Sequence, residues 1–210
     1  MEDIDDPADD HRHINHLLCV YPGQQVTPST TPELAGAAKV SLDARRKHGQ
    51  EHPAWSRVWK ACMFARLQDG DAAYGELSQT LATHVLGNLW AVDPPFQIDA
   101  SDCGTPNVDQ GVSGGDSSSG LVHGSEGAVL IDLLPALPAA WAKGRVTGMR
   151  ARGGFELDIE WAGGQLVQAC VRGASNVVPA CTVRYAAQRI TIAVACGDAR
   201  SVSAADFASA

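Results

Sequence analysis

The spacing of apolar residues changes once along this chain, from helical to strand-like, and that change divides it into two differently built segments. Between Thr31 and about His84 the apolar side chains recur every three to four positions, which lines them along one stripe of a helix. From about Gly144 they alternate, the mark of a strand with one buried face. Neither pattern serves the other backbone, because a helical period scatters over both faces of a strand. The chain therefore reads as multidomain, α plus β, with the helices first.

Thr31-Pro32-Glu33 has the makings of a helix start: a capping hydroxyl, a proline where no amide hydrogen is needed, and an acid near the positive end of the dipole. Leu34, Ala38 and Leu42 follow at i, i+4 and i+8, and Gly49 is placed to end the helix. A second helix is expected over Ala54 to Asp69, with Trp55, Trp59 and Met63 on one stripe and Val58 and Cys62 beside them. Gly70 should stop it, and Asp71 should cap a third helix carrying Ala73, Leu77 and Leu81. So short a link forces the two helices side by side. Successive helical hairpins of this kind build a toroid or a bundle.

In the second half, Phe155, Leu157, Ile159 and Trp161 alternate with Glu156, Asp158 and Glu160. Ala162-Gly163-Gly164 turns the chain, and Val167, Ala169 and Val171 alternate on the return. Val183 and Tyr185, then Ile190, Ile192 and Val194, read as a further hairpin. Short strands in series predict a small antiparallel β-sandwich over 144–210. The stretch 128–143, with Pro135 and Pro138, is expected as a hinge. Between the halves, 100–127 mixes Gly and Ser without an apolar period and reads as an irregular segment.

Composition narrows function by exclusion. The net charge is −8 and the Lys and Arg residues form no extended basic cluster, so no nucleic-acid partner is expected. No apolar run reaches the length of a membrane helix, and no membrane partner is expected. The 6 cysteines form no C-x-x-C pair. Cys62 reads as a core residue, and a bridge among Cys170, Cys181 and Cys196 stays open. The signatures of P-loop, dinucleotide-binding, serine-hydrolase and HExxH zinc enzymes do not occur, and no cofactor is called for.

Three features carry chemistry. His11-Arg12-His13-Ile14-Asn15-His16 gathers three imidazoles in one short run. With Asp9 or Asp10 they offer donors a zinc ion could use, but neither protease spacing nor a cysteine partner accompanies them, so no metal is expected. Imidazole nitrogens donate to or accept from hydroxyls, which suits a polar substrate; surface histidines in a loop are the plain alternative. Trp55 opens the second helix and is a candidate aromatic contact, whereas Trp59 shares the Met63 stripe and is assigned to the core. Pro94-Pro95-Phe96-Gln97-Ile98-Asp99 holds an acid behind an apolar anchor on stiff backbone, a suitable base for positioned catalysis. A helix cap is its plain alternative, and Asp93 and Asp102 are neighbouring candidates.

Taken in order, these segments resemble glycoside hydrolase family 95, the inverting α-L-fucosidases and their relatives. The resemblance runs from His11–Leu17 through Tyr21-Pro22-Gly23, Thr31–Leu34, Trp55-Ser56-Arg57, Ala65–Gly70 and Pro94–Asp99, and resumes at Leu133–Trp141 and Arg150–Phe155. It implies that 1–99 is the C-terminal part of an (α/α)6 catalytic toroid, followed by a C-terminal β-sandwich, with an upstream part of the same enzyme before Met1. It implies hydrolysis of α-L-fucosyl linkages with inversion, by an acid at the leaving oxygen and an activated water on the opposite face of the ring. On that likeness Asp99 is the catalytic aspartate that polarises the water, and His11, His13, His16 and Trp55 contact the sugar, His13 or His16 being preferred.

The family's proton-donating Glu and water-holding Asn residues are expected before Met1, so the chain alone is expected not to cleave a fucosylated oligosaccharide. The family usually has Ser at Asn15, His at Asp93, and a Gly-Asn-Phe-Gly-like run where this chain has Ala100-Ser101-Asp102-Cys103. Two other readings stay in view: a non-catalytic remnant whose β-sandwich binds a glycan or partner, and a toroid hydrolase for another sugar such as an α-L-galactoside. No compartment is read from this sequence, a secreted or periplasmic parent enzyme being the candidate.

Overall fold

Helices form where the sequence spaces apolar residues by three and four, and strands where it alternates them. The computed structural model describes residues 6, 8–9, 11–48, 53–88, 90–93, 96–99, 129–151, 153–175 and 178–208, with the side chains at 48, 92–93 and 96–99 outside the description. Gly49, Asp102, Cys103 and the stretch 100–127 lie outside the described residues. Two compact units result, Met1–Val108 and Asp109–Ala210.

In the first unit a 3-10 turn at Asn15–Leu17 precedes α1 (Pro32–His48), α2 (Ala54–Arg66) and α3 (Gly70–Thr83). α1 starts at Pro32 as expected, with Ala35 N–H donating to Thr31 O at 2.9 Å, while the Thr31 hydroxyl accepts from Thr27 N–H at 2.9 Å. Its buried stripe is Ala35, Ala38 and Leu42, and Leu34 is exposed. An i, i+4, i+8 series drifts by about 80° around a helix, so the i, i+3, i+7 set makes the narrower face. α2 is buried from Ser56 to Ala65, which makes it the central helix of this unit.

The turn from α2 to α3 differs from expectation. α2 ends at Arg66, Gln68 adopts a left-handed φ of 63°, and Asp69 caps α3 by accepting from Ala72 N–H at 3.0 Å. Gly70 is thus the first residue of α3 and not a stop, and Asp71 is not the cap. A capping carboxylate accepts from an amide two or three residues ahead, and Asp69 accepts from Ala72, the third. On α3, Ala73 and Leu77 are buried but Leu81 is exposed.

Charged side chains fasten the three helices. Glu76 on α3 is buried and meets Arg46 of α1 at 3.2 Å, and Arg57 and Lys60 of α2 at 3.3 and 3.8 Å. Burial is the main cause that lowers the Lys60 pKa to about 8, and the Glu76 charge opposes it. Lys39 of α1 pairs with the capping Asp69 at 2.5 Å. After α3, β1 (Trp90–Asp93) and β2 (Phe96–Asp99) form an antiparallel hairpin in the register Trp90 to Asp99. β1 lies against α2, with Ala91 fully buried, so the described residues of this unit end in a two-stranded ribbon.

The second unit has two sheets. β3 (Val129–Leu133), β7 (Ala180–Tyr185) and β8 (Gln188–Ala193) form one; β4 (Lys143–Ala151), β5 (Phe155–Ala162), β6 (Gln165–Gly173) and β9 (Ala199–Val202) form the other. One core cluster draws Ile131, Leu133, Cys181 and Val183 from the first sheet and Phe155, Leu157, Ile159, Ala169 and Val171 from the second. Among the described strand pairs the expected antiparallel pattern has one exception, since β3 pairs with β7 in parallel register. The chain leaves the first sheet after β3, builds β4 to β6 in the second, and re-enters beside β3 in the same direction. Val129–Leu133, inside the expected hinge, is therefore a sheet strand, tied by Asp132 to Arg184 of β7.

The phase of β6 also departs from simple alternation. Glu160 pairs with Gln168 but Trp161 pairs with Leu166, so Val167 is an extra residue. That bulge turns Val167 outward, 45% exposed, and brings Leu166 into the core. Gly163 and Gly164 make the β5–β6 turn with φ of 60° and 72°, a conformation few side chains tolerate. A terminal helix, α4 (Ala204–Ala208), lays Phe207 edge-on against Tyr185 at 5.7 Å. Cys170, Cys181 and Cys196 are unbridged, which removes the disulfide left open among them.

Candidate functional site

Two buried apolar residues, Ile14 within the histidine run and Leu17 just after it, pin the run to the first unit while His11, His13 and His16 stay exposed. Asp9 starts the arrangement: its Oδ1 accepts from His11 N–H at 2.8 Å, and its Oδ2 pairs with Arg45 Nη2 at 2.7 Å. The backbone bond from His11 is the main influence holding the Asp9 carboxyl below its usual pKa, with Arg45 assisting. Arg45 Nη1 also donates to His11 O at 3.3 Å. His13 N–H donates to His11 Nδ1 at 3.1 Å, and the two rings meet edge to face with centroids 5.0 Å apart. His16 Nε2 lies 3.0 Å from Ser41 Oγ. Ser41 and Arg45 are four residues apart on α1, so one helical face supports both ends of the run.

Trp55 is 41% exposed at the start of α2, whereas Trp59 is 7% exposed and packs against it with ring centroids 5.0 Å apart. Trp59 Nε1 donates to Tyr21 O at 3.1 Å, and the Arg66 guanidinium lies 5.6 Å from the Tyr21 ring centroid. Tyr21 follows the turn that carries His16, so this bond links the helix bearing Trp55 to the histidine segment. Asp99 ends β2 opposite Trp90; its side chain, like that of Asp93, lies outside the description, as does Asp102 altogether. Among the described residues no group of three or more His, Cys, Asp or Glu is placed to hold a metal ion. No helix among them is long and apolar enough to cross a membrane.

Sequence reasoning named the imidazoles and Trp55 but missed their supports, Arg45 and Ser41. One signal was available: two polar side chains at i and i+4, flanking the buried Leu42 on an otherwise amphipathic helix. What they would hold lies some thirty positions earlier in the chain and could not be read from spacing.

Exposed imidazoles can hydrogen-bond and an exposed indole can stack, and both chemistries suit hydroxyl-rich ligands. Residues 1–109 match the glycosyl hydrolase family 95 catalytic domain, and residues 126–207 match the glycoside hydrolase family 95, C-terminal domain. The chain belongs to glycoside hydrolase family 95. It is 36% identical over 184 residues to Alpha-L-fucosidase 2 of Arabidopsis thaliana, covering 80% of this chain and 20% of that protein. It is 32% identical over 175 residues to Probable alpha-fucosidase A of Aspergillus niger, covering 80% and 22%. The corresponding protein of Aspergillus oryzae is 30% identical over 188 residues, covering 84% and 26%. The chain thus spans about a fifth to a quarter of the length of these relatives.

Proposed function

We propose that this chain is the C-terminal part of an α-L-fucosidase that hydrolyses α-L-fucosyl linkages of glycans with inversion. The observation that carries the reading is the order of the two family domains, catalytic then C-terminal, within a chain similar to α-L-fucosidases. On this reading residues 1–99 are the last part of an (α/α)6 toroid, and the second unit is the C-terminal β-sandwich, the two sheets being its layers. Asp99 polarises the attacking water on one face of the sugar. His11, His13 and His16 bond its hydroxyls, and Trp55 offers an apolar ring face to its carbon skeleton.

Inverting hydrolysis divides the work between an acid that protonates the leaving oxygen and a base that activates water. The proton-donating Glu is supplied by the upstream part of the enzyme, and its partner carboxylate by Asp99. Without the donor the chain is inactive, since general acid catalysis contributes about 10²–10⁴-fold.

The test compares this chain with a longer chain that includes the upstream part, using an aryl α-L-fucoside and following the anomeric signals of released fucose by NMR. The longer chain should release β-L-fucose, and Asp99→Asn in it should lower kcat by about 10²–10⁴-fold. First-formed α-L-fucose would overturn inversion. Turnover by the chain alone, abolished by Asp99→Ala, would overturn the division of the acid and base between segments.

A further inference from the structure

We propose that Arg45 is a positioning residue which, through Asp9, grips the His11 backbone and fixes the His11 ring as the Nε2–H tautomer, so that His11 offers the sugar an N–H donor. The inference rests on the reading of His11 as a sugar contact. Its geometry is a closed ring of hydrogen bonds around one residue. The His11 N–H donates to Asp9 Oδ1 at 2.8 Å, Asp9 Oδ2 meets Arg45 Nη2 at 2.7 Å, and Arg45 Nη1 returns to the His11 carbonyl at 3.3 Å. Both polar groups of the His11 main chain are thereby engaged by one ion pair. The Arg45 side chain is only 12% exposed, so packing restrains it, while its partner Asp9 is 40% exposed.

The consequence for the ring follows from the next residue. His13 N–H donates to His11 Nδ1 at 3.1 Å, and a nitrogen that accepts a hydrogen bond carries no proton. In neutral imidazole the proton then sits on Nε2, and the ring presents a donor there. The bond needs the His11 and His13 backbones at one mutual angle. His11 and His13 are exposed and belong to no helix or strand, so that angle is set by the clamp from α1 and by the edge-to-face ring contact at 5.0 Å. The preferred ligand atom for His11 is accordingly an acceptor, a hydroxyl or ring oxygen of the sugar, and not a hydroxyl hydrogen.

The experiment uses the 210-residue chain with 15N-labelled histidine, above the pH range of imidazole titration. Long-range 15N–1H spectra report which ring nitrogen is protonated, and His11→Gln assigns the His11 signals. The wild type should show the Nε2–H pattern for His11. Arg45→Ala should convert it to a mixture of tautomers and weaken L-fucose binding, followed by titration, at least tenfold. Arg45→Lys keeps the charge opposite Asp9 but cannot engage both Asp9 and the His11 carbonyl with one planar group, and should fall between.

An Nδ1–H pattern in the wild type, or an unchanged His11 pattern in folded Arg45→Ala, overturns the proposal. Should Arg45→Ala fail to fold, Arg45→Lys and Asp9→Asn decide by the same spectra. Absence of L-fucose binding by the wild type would count against the sugar-contact reading alone, because the ring spectra still test the clamp.

Discussion

Lys60 provides the most discriminating test of how the helical unit is held together. It is fully buried on α2, 3.8 Å from Glu76 Oε2, in a group where Arg57 and Arg46 meet the same carboxylate at 3.3 and 3.2 Å. Desolvation outweighs the attraction of Glu76 and lowers the Lys60 pKa from 10.5 to about 8. In the unfolded chain the amine keeps the higher value, so between pH 8 and 10.5 the unfolded state binds more protons. Stability therefore rises across that window as the folded amine becomes neutral, and below pH 8 the whole cost of burying the charge is present. Each pH unit of separation is worth about 1.4 kcal/mol, so the cost at pH 7 is roughly 3 kcal/mol.

Cys62 acts in the opposite sense. Burial pushes its thiol up to about 12, so above pH 9 the unfolded chain loses that proton first and stability falls. The two effects overlap, and the wild-type curve alone does not separate them. The difference between wild type and Lys60→Met does, because both chains retain Cys62.

Methionine fills the space of the lysine stem without a charge. Lys60→Met should be at least as stable as wild type at pH 7, by up to roughly 3 kcal/mol, with the gain fading towards pH 10.5. Urea unfolding of both chains at pH 7, 8, 9 and 10 measures this. A loss of more than about 1 kcal/mol at pH 7, or a difference that does not change with pH, would refute the reasoning. Glu76→Gln is the converse, removing the carboxylate that three cations share, and should cost about 3–5 kcal/mol in the same assay.

Three further outcomes follow from the structure. A Cβ at Gly144 would stand 2.3 Å from the Trp161 ring, so Gly144→Ala should cost about 1–3 kcal/mol, measured by thermal unfolding of the chain. Arg184→Met removes the paired guanidinium from Asp132, which is 5% exposed, and should cost about 3–5 kcal/mol, read by hydrogen exchange of the β3 and β7 amides. Asp69→Ala deletes the α3 cap and the Lys39 pair, and should cost about 1 kcal/mol in denaturant unfolding.

The kind of element at each place was legible because periodicity is a local property. A helix or strand must put its apolar residues on one face whatever it meets, so α1 to α3 and β5 to β8 follow the spacing of the sequence. Phase and partner were less legible. Leu34 was expected inside and stands outside, and the register slip that turns Val167 outward while burying Leu166 depends on how β5 lies beside β6. Cap choice was ambiguous, since Asp69 and Asp71 differ only by where the chain reverses.

The candidate site divides in the same way. Its chemical types, three imidazoles and an indole, are visible as residues, and the family is legible from their order. The sequence by itself determined that the chain is helical then β-stranded and that its histidines are gathered in one run. Only the tertiary structure decided that Arg45 and Ser41 hold that run from α1, that β3 pairs in parallel with β7, and that one buried carboxylate gathers three cations. Such contacts join residues far apart in the chain, and their geometry is set by packing between elements, which no local pattern encodes.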